Sequence, residues 1–222
     1  MSATNPVRCV QRSDTGALSV VIPSCDGDRG GNVPRLLEDV RAQSLPEVEV
    51  LLVVGVTPQG LAINLGAAQA RGAILIILDD DSRLPQRDTL ERLVAVLRAD
   101  PRVGMAGASI VQPADAGRFQ RAVARELPRF NMPVVERVTD SDMPCHGCCA
   151  FRKEVFAAVG GERESIVRGL DPDLRQRLRA SGYRVVLAPG AWARPGARRL
   201  GCLRPHVLPQ RPRFGLRAAA PA

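Results

Sequence analysis

The sequence predicts an α/β fold, a Rossmann-like, mostly parallel sheet flanked by helices. Three observations carry this. Strand, helix, strand, helix and strand follow one another between Leu18 and Leu78, the spacing of a parallel, right-handed nucleotide-binding unit. Ala73 to Leu78 is an apolar run too short for an ordinary helix, which reads as a strand buried on both faces, and it runs straight into Asp79-Asp80-Asp81. Finally, 45% of the 222 residues are hydrophobic but only 3% are aromatic, so a sizeable core must be aliphatic.

The elements follow in order. Leu18 to Pro23 is the first strand, with Pro23 as its stop, and a polar, glycine-bearing loop spans Ser24 to Gly31. Val33 to Gln43 is a helix with Leu36, Leu37 and Val40 on one face, and Val48 to Val54 is the second buried strand. Gly60 to Arg71 reads as a helix with Leu61, Leu65 and Ala68 on a common face, ended by Gly72. After the strand 73–78, Asp88-Thr89-Leu90-Glu91 has the form of a capping box with Asp in place of Ser or Thr. It opens an amphipathic helix, Thr89 to Ala99, carrying Leu90, Leu93, Val94 and Leu97.

Val103 to Val111 is a further strand, Arg118 to Leu127 a helix, and Val134 to Val138 an antiparallel edge strand. Cys148 to Phe151 is a short strand, and Lys153 to Val159 a helix ended by Gly160-Gly161. The last helix runs from Pro172 to Ser181, with Asp171 at the N-cap and Gly182 as its stop. Arg184 to Ala188 is the last strand, stopped by Pro189. The expected organisation is an N-terminal extension, 1–16, one α/β domain, 17–195, and a basic Pro/Arg-rich tail, 196–222. No internal repeat is visible, and Gly-x-Gly-x-x-Gly is absent, so a dinucleotide fingerprint is not supported.

The net charge of +8 is unevenly placed, because no acid follows Asp173 while eleven arginines do. A tail of this kind is a solvated end or a peripheral contact with an anionic membrane surface. Only Tyr183, Trp192 and Phe214 lie among these arginines, unlike the interleaving of a nucleic-acid stacking surface, so no nucleic-acid partner is expected. No apolar run is long enough to span a bilayer, and Met1 to Asp14 has no signal-peptide pattern, so a cytoplasmic or membrane-peripheral location is the expectation. The six cysteines are expected as reduced thiols. Cys145-His146-Gly147-Cys148-Cys149 contains a zinc half-site without a second half, or else small buried thiols lining a pocket.

Asp79, Asp80 and Asp81 sit where their strand leaves the sheet, the place where open α/β sheets bind ligands. Alternation sends Asp79 and Asp81 to one side and Asp80 to the other. Neighbouring carboxylates repel by about 4 kcal/mol at 4 Å near a protein surface. A divalent cation removes that cost, and Asp oxygens suit Mg²⁺ or Mn²⁺.

The order of the pieces from Leu18 to Pro195 resembles the family 2 glycosyltransferases with the GT-A fold. The similar segments are Ser19-Val20-Val21-Ile22-Pro23, Gln43, Asn64-Leu65-Gly66 with Ala70-Arg71-Gly72, and Asp79-Asp80-Asp81 in the place of a DxD motif. They continue with Cys149 to Phe156 and Gly160-Gly161, then Asp171-Pro172-Asp173-Leu174 with Arg177-Leu178 in the place of an ED motif, then Gly182-Tyr183-Arg184-Val185. The resemblance implies an inverting transfer of a sugar from a nucleotide-diphosphate sugar to an acceptor hydroxyl. It implies nucleotide contacts from Pro23, Ser24, Asp26, Asn64, Asp79 and Asp80, a metal contact from Asp81, and Asp171 as general base. Asp171 read from spacing alone is an ordinary helix cap, and Asp173 is the fallback base.

The sequence departs from the family pattern at three places. Val54-Gly55 stands where an acid reads the base, Leu170 where the ED motif has its glutamate, and Arg194 near a customary histidine, with His206 further on. Two alternatives follow. One is a degenerate, non-catalytic member that binds nucleotide or a protein partner. The other is a nucleotidyltransferase, disfavoured because the loop with Gly27, Gly30 and Gly31 has Arg29 but no lysine.

Overall fold

The computed structural model describes residues 5–14, 16–45, 47–113, 116–127 and 131–196. The basic tail beyond Gly196, with His206 and Cys202, lies outside the described residues, as does Pro128. Nine strands and six helices alternate among the described residues. The strands are β1 (Val7–Gln11), β2 (Leu18–Ser24), β3 (Glu49–Val54), β4 (Ile74–Ile77), β5 (Ser82–Arg83), β6 (Val103–Ile110), β7 (Thr139–Asp140), β8 (Cys149–Arg152) and β9 (Arg184–Pro195). The helices are α1 (Asn32–Arg41), α2 (Gln59–Gln69), α3 (Thr89–Ala99), α4 (Arg118–Glu126), α5 (Lys153–Ala158) and α6 (Leu170–Ala180).

The sheet order is β1-β3-β2-β4-β8-β6-β9-β5, with β7 also on β9. The long strands β3, β2, β4, β6 and β9 all point the same way, and β8 runs against its neighbours β4 and β6. β1, drawn from the N-terminal segment, pairs antiparallel with β3 at the edge. One aliphatic layer packs Ile22, Leu36, Ile76, Leu93 and Leu97 on the α1 and α3 face. The other packs Val21, Ile63, Leu75, Phe151, Leu174 and Leu178 on the α2, α5 and α6 face.

Several expected boundaries move, each for a physical reason. Pro23 does not stop β2. The β4 ladder ends at Val21 opposite Ile77, so Pro23 sits where β2 is paired on the β3 side only. Pro189 does not stop β9 either. The β6–β9 register shifts between Leu187 and Trp192, and Pro189 and Gly190 occupy that bulge, Gly190 at φ 67°. Val134 to Val138 form no strand, and the pairing falls to Thr139–Asp140. The expected buried face of α2 is also wrong. Ala62, Ile63, Gly66 and Ala67 face the core and Ala68 is exposed. A Cβ at Gly66 would lie 2.4 Å from Val21, so small residues let this helix lie close on the sheet. Gly72 lies beyond the helix end at Gln69 and serves a close crossing of β2, where a Cβ would stand 2.5 Å from the Ser19 nitrogen.

The capping box does not form. Asp88 makes no side-chain cap and pairs with Arg92 instead, while Glu91 accepts from the Ser44 hydroxyl at 2.6 Å. The free N–H of Leu90 in the first turn of α3 donates to Oε1 of buried Gln43 at 3.1 Å. A long-range cap thus replaces the local one.

Glu49 is buried at the start of β3. It accepts from the Ser19 hydroxyl at 2.5 Å, the Arg71 N–H at 2.9 Å and the Arg71 guanidinium at 3.0 Å. Burial alone would raise this carboxyl, but these donors outweigh it and hold it below its ordinary 4.5. The ionised form is therefore favoured in the folded state. Its stabilisation is present above about pH 4.5 and is lost as pH falls through the folded value. Glu49→Gln is expected to lose about 1.5–3 kcal/mol at pH 7, with the difference from wild type closing toward pH 3. Urea unfolding at the two pH values checks this.

Candidate active site

The strand β4 ends at Ile77, so the three acids belong to a turn rather than a pleat, and the expected alternation does not hold. Asp79 faces one way. Its Oδ1 accepts from the Gln59 amide of α2 at 2.7 Å, and its N–H donates to the His146 carbonyl at 2.9 Å. Asp80 and Asp81 face the loop after β2. Arg29 lies 3.4 Å from Asp80 and 3.6 Å from Asp81, and Asp80 Oδ2 accepts from the Ser24 hydroxyl at 2.7 Å. Asn32 donates to the Asp80 and Ser82 carbonyls at 2.8 and 3.1 Å, and the Gly196 N–H to the Asp81 carbonyl at 2.5 Å. The turn is therefore held through its backbone as well as through its carboxylates, each of which has a protein partner.

Residues 24–31 form a tight loop. Ser24 is buried, and its hydroxyl also accepts from the Gly27 N–H at 3.0 Å. Asp26 is exposed, but its Oδ1 accepts the Asp28 and Arg29 N–H groups at 2.9 and 2.8 Å. Those backbone donors, Arg29 first, hold its carboxyl below the ordinary range. Arg29 itself takes a left-handed backbone at φ 49°. Pro23 is buried in β2, one residue before this loop.

Across from Asp79 stands Asp171. It is not the N-cap of α6. Gly169, at φ 93°, holds that position, and Asp171 lies inside the first turn with its side chain 32% exposed. Its Oδ1 accepts the His146 N–H at 2.8 Å and lies 3.0 Å from His146 Nδ1. His146 Nε2 is 2.8 Å from Oε1 of Glu162, and both side chains are buried. Burial would lower the imidazole, but Asp171 and Glu162, with Asp79 behind them, outweigh it and push it up to about 9. The imidazole is therefore a cation at neutral pH. Asp173, the fallback base, is committed to Arg163 and Arg177, both at 2.8 Å.

Asn64 is not turned to the acids. Its amide oxygen accepts the Glu162 N–H at 2.8 Å, and its nitrogen donates to the Glu162 carbonyl at 2.9 Å. It therefore positions Glu162. His146 and Glu162 were not singled out from sequence as site residues. The signal was there, since His146 is one of two histidines in the chain and lies inside the cysteine cluster. That cluster holds core thiols: Cys148 and Cys149 are fully buried, and burial pushes the Cys145 thiol up to about 12. No group of three His, Cys, Asp or Glu side chains able to hold a metal exists among the described residues, so the zinc half-site finds no other half.

Burial pushes Asp79 up to about 7, with the His146 charge opposing and Asp81, Asp171 and Asp80 adding. Its folded value lies above the ordinary 3.8, so the folded chain binds a proton that the unfolded chain has released, and stability falls as pH rises from about 4 through 7. Asp79→Asn, which mimics the protonated form, is expected to match wild type near pH 4 and to melt higher at pH 8 without ligand. Thermal denaturation across that range checks this.

Residues 58–160 match the model described as "Glycosyl transferase family 2". The match covers just under half of the chain. The matched segment runs from Pro58, before α2, to Gly160, after α5, and so contains the acid turn and His146. An uncharacterized protein of Sinorhizobium fredii is 31% identical over 148 residues, 59% of this chain, and the chain spans 16% of that protein's length. The fold is shared with solved GT-A glycosyltransferase structures. The mannosyltransferase PcManGT of Pyrobaculum calidifontis, in complex with GDP-Man and Mn²⁺, has a TM-score of 0.60 at 19% identity over 87% of this chain and 61% of its own. GalNAc-T7 with UDP, GalNAc and Mn²⁺ gives 0.62 at 13% over 83% and 45%. TarS 1-349 of S. aureus in complex with UDP gives 0.60 at 13% over 82% and 60%. No helix among the described residues is long and apolar enough to cross a membrane.

Proposed function

We propose that the chain is an inverting glycosyltransferase that moves a sugar from a nucleotide-diphosphate sugar to an acceptor hydroxyl with the help of Mg²⁺ or Mn²⁺. The observation that carries this is that one residue, His146, ties an acid turn, Asp79 to Asp81, to a carboxylate, Asp171, whose Oδ1 is pinned and whose side chain reaches solvent. The family match supports it, as do similar folds solved with nucleotide, sugar and Mn²⁺.

The residues fit a cation of this kind. Mg²⁺ is usually held by one or two carboxylates with substrate phosphates and water, not by an all-protein cage. The acid turn offers that, with Asp81 as the holder and Asp80 beside it. Bound there, the cation would neutralise charge gathering on the leaving diphosphate. Ser24, Asp26 and Asp79 line the nucleotide side, with Pro23 shaping the floor of that loop. Asp171 takes the proton of the acceptor hydroxyl on Oδ2 as the oxygen attacks the anomeric carbon from the face opposite the diphosphate. One displacement of this kind inverts the configuration at that carbon.

One observation favours the non-catalytic alternative. Leu170, in the place of the ED glutamate, is buried and within 3.3 Å of where a Cβ on Gly60 would lie, so that position is core and not cleft. A thermal-shift series separates the readings. UDP, GDP, CDP and dTDP are tested with Mn²⁺ or EDTA on wild type and Asp81→Asn. A nucleotide at about 100 times its Kd adds about 2.7 kcal/mol of stability. The expected result is a shift with one nucleotide that needs metal and is lost in Asp81→Asn. A shift without turnover of the matching nucleotide sugar would favour the non-catalytic member. No shift with any nucleotide would sink both nucleotide readings.

A further inference from the structure

The buried His146–Glu162 pair lies behind the candidate base and is not used by the reaction as written above. We infer that His146 is the positioning residue for Asp171, and that Glu162 in turn holds His146; this rests on the reading of Asp171 as the base. Three features of the geometry carry the assignment. Both ring nitrogens face carboxylates, Nδ1 at 3.0 Å from Asp171 and Nε2 at 2.8 Å from Glu162, so the ring cannot rotate without losing both. The backbone N–H of the same residue reaches the same Asp171 oxygen at 2.8 Å. Oδ1 is thereby fixed from two directions, and Oδ2 is left for a proton. Glu162 is fixed in its own turn, since Asn64 brackets its backbone.

The charge points the same way. The groups facing the imidazole are Asp171 from α6, Glu162 from the segment after α5 and Asp79 from the end of β4, with the neutral thiol of Cys145 beside it. An imidazolium with both nitrogens protonated can accept nothing further, so His146 does not relay the proton. It orients Asp171 and compensates three carboxylates. Oε2 of Glu162 is buried with no hydrogen-bond partner among the described residues, while Oε1 is held by His146.

His146→Ala removes both the ring and the counter-charge and is a poor test, because it endangers the fold. His146→Gln keeps the backbone contact and a side-chain donor. In the folded His146→Gln enzyme, kcat is expected to fall about 10–100-fold, the usual cost of losing a supporting partner, with the donor KM unchanged. On an Asp171→Asn background the same substitution should cost nothing more, because residues acting as a unit are not additive. Histidine NMR gives a readout independent of turnover. The imidazole signal that His146→Gln deletes should titrate near 9 and fall in Asp171→Asn and in Glu162→Gln. The inference is overturned by wild-type kcat in folded His146→Gln, by a loss that adds in full to Asp171→Asn, or by an imidazole that ignores Asp171→Asn. The reading beneath it fails separately, if Asp171→Asn alone turns over like wild type. If wild type turns over no donor, the NMR coupling decides the inference by itself.

Discussion

Asp171→Asn is expected to lower turnover of the nucleotide sugar by about 10²–10⁴, the range for removing a general base. The substitution is close to isosteric. Its amide oxygen still accepts the His146 N–H that Asp171 accepts at 2.8 Å, so the first turn of α6 keeps its anchor. What disappears is the lone pair able to take a proton on the exposed oxygen. Nucleotide binding, which the proposal assigns to the acid turn and the loop after β2, should be unaltered. The check is a pair of measurements on one preparation, kcat with saturating donor and the nucleotide-induced thermal shift. A fall in kcat with the shift preserved is the expected pattern. Loss of both would mean that Asp171 supports the fold of the site and not the proton transfer.

His146→Ala is expected to cost about 3–5 kcal/mol of stability, the usual penalty for removing one partner of a buried ion pair. The reason is Glu162, left in the interior with no counter-charge. Pairing it with Glu162→Gln should recover part of the loss, because the double variant buries no uncompensated charge, and the two changes should be far from additive. The pH dependence has a definite sign. The folded imidazole titrates at about 9, above its ordinary 6.5, so its stabilisation is fully present below about pH 6.5 and is lost as pH rises through 9. Denaturant unfolding of wild type and His146→Ala at pH 6 and pH 9.5 should show the difference shrinking at the higher pH.

The elements that were legible in the sequence share one property, an apolar pattern that a single element can satisfy. β4 and α3 are examples: a continuous aliphatic run on one, and Leu90, Leu93, Val94 and Leu97 at helical spacing on the other. What was misread depends on partners far along the chain. Asp88 looked like a cap, yet the donor it would have served is taken by Gln43, 47 residues from Leu90. Pro189 looked like a stop, but the bulge that tolerates it exists only because β6 lies alongside. Gly66 stands in a family-like segment, but it is the closeness of Val21 that requires it. The site divides the same way. The acid turn and Asp171 stand in local motifs. His146 and Glu162 meet each other only because α5 and α6 pack on the same face of the sheet, and the sequence around His146 looked like a thiol cluster.

The reversed strand β8 has a mechanical consequence. Lying between β4 and β6, it begins where β4 ends, so the segment entering it meets the segment leaving β4 along one seam of main-chain bonds. His146 stitches that seam, taking the Asp79 N–H on its carbonyl and giving its own N–H to Asp171. The acid turn and Asp171 therefore share one floor of main-chain bonds. Relative movement of those two parts would break the seam, whereas the exposed loop that carries Asp26 and Arg29 lies outside it.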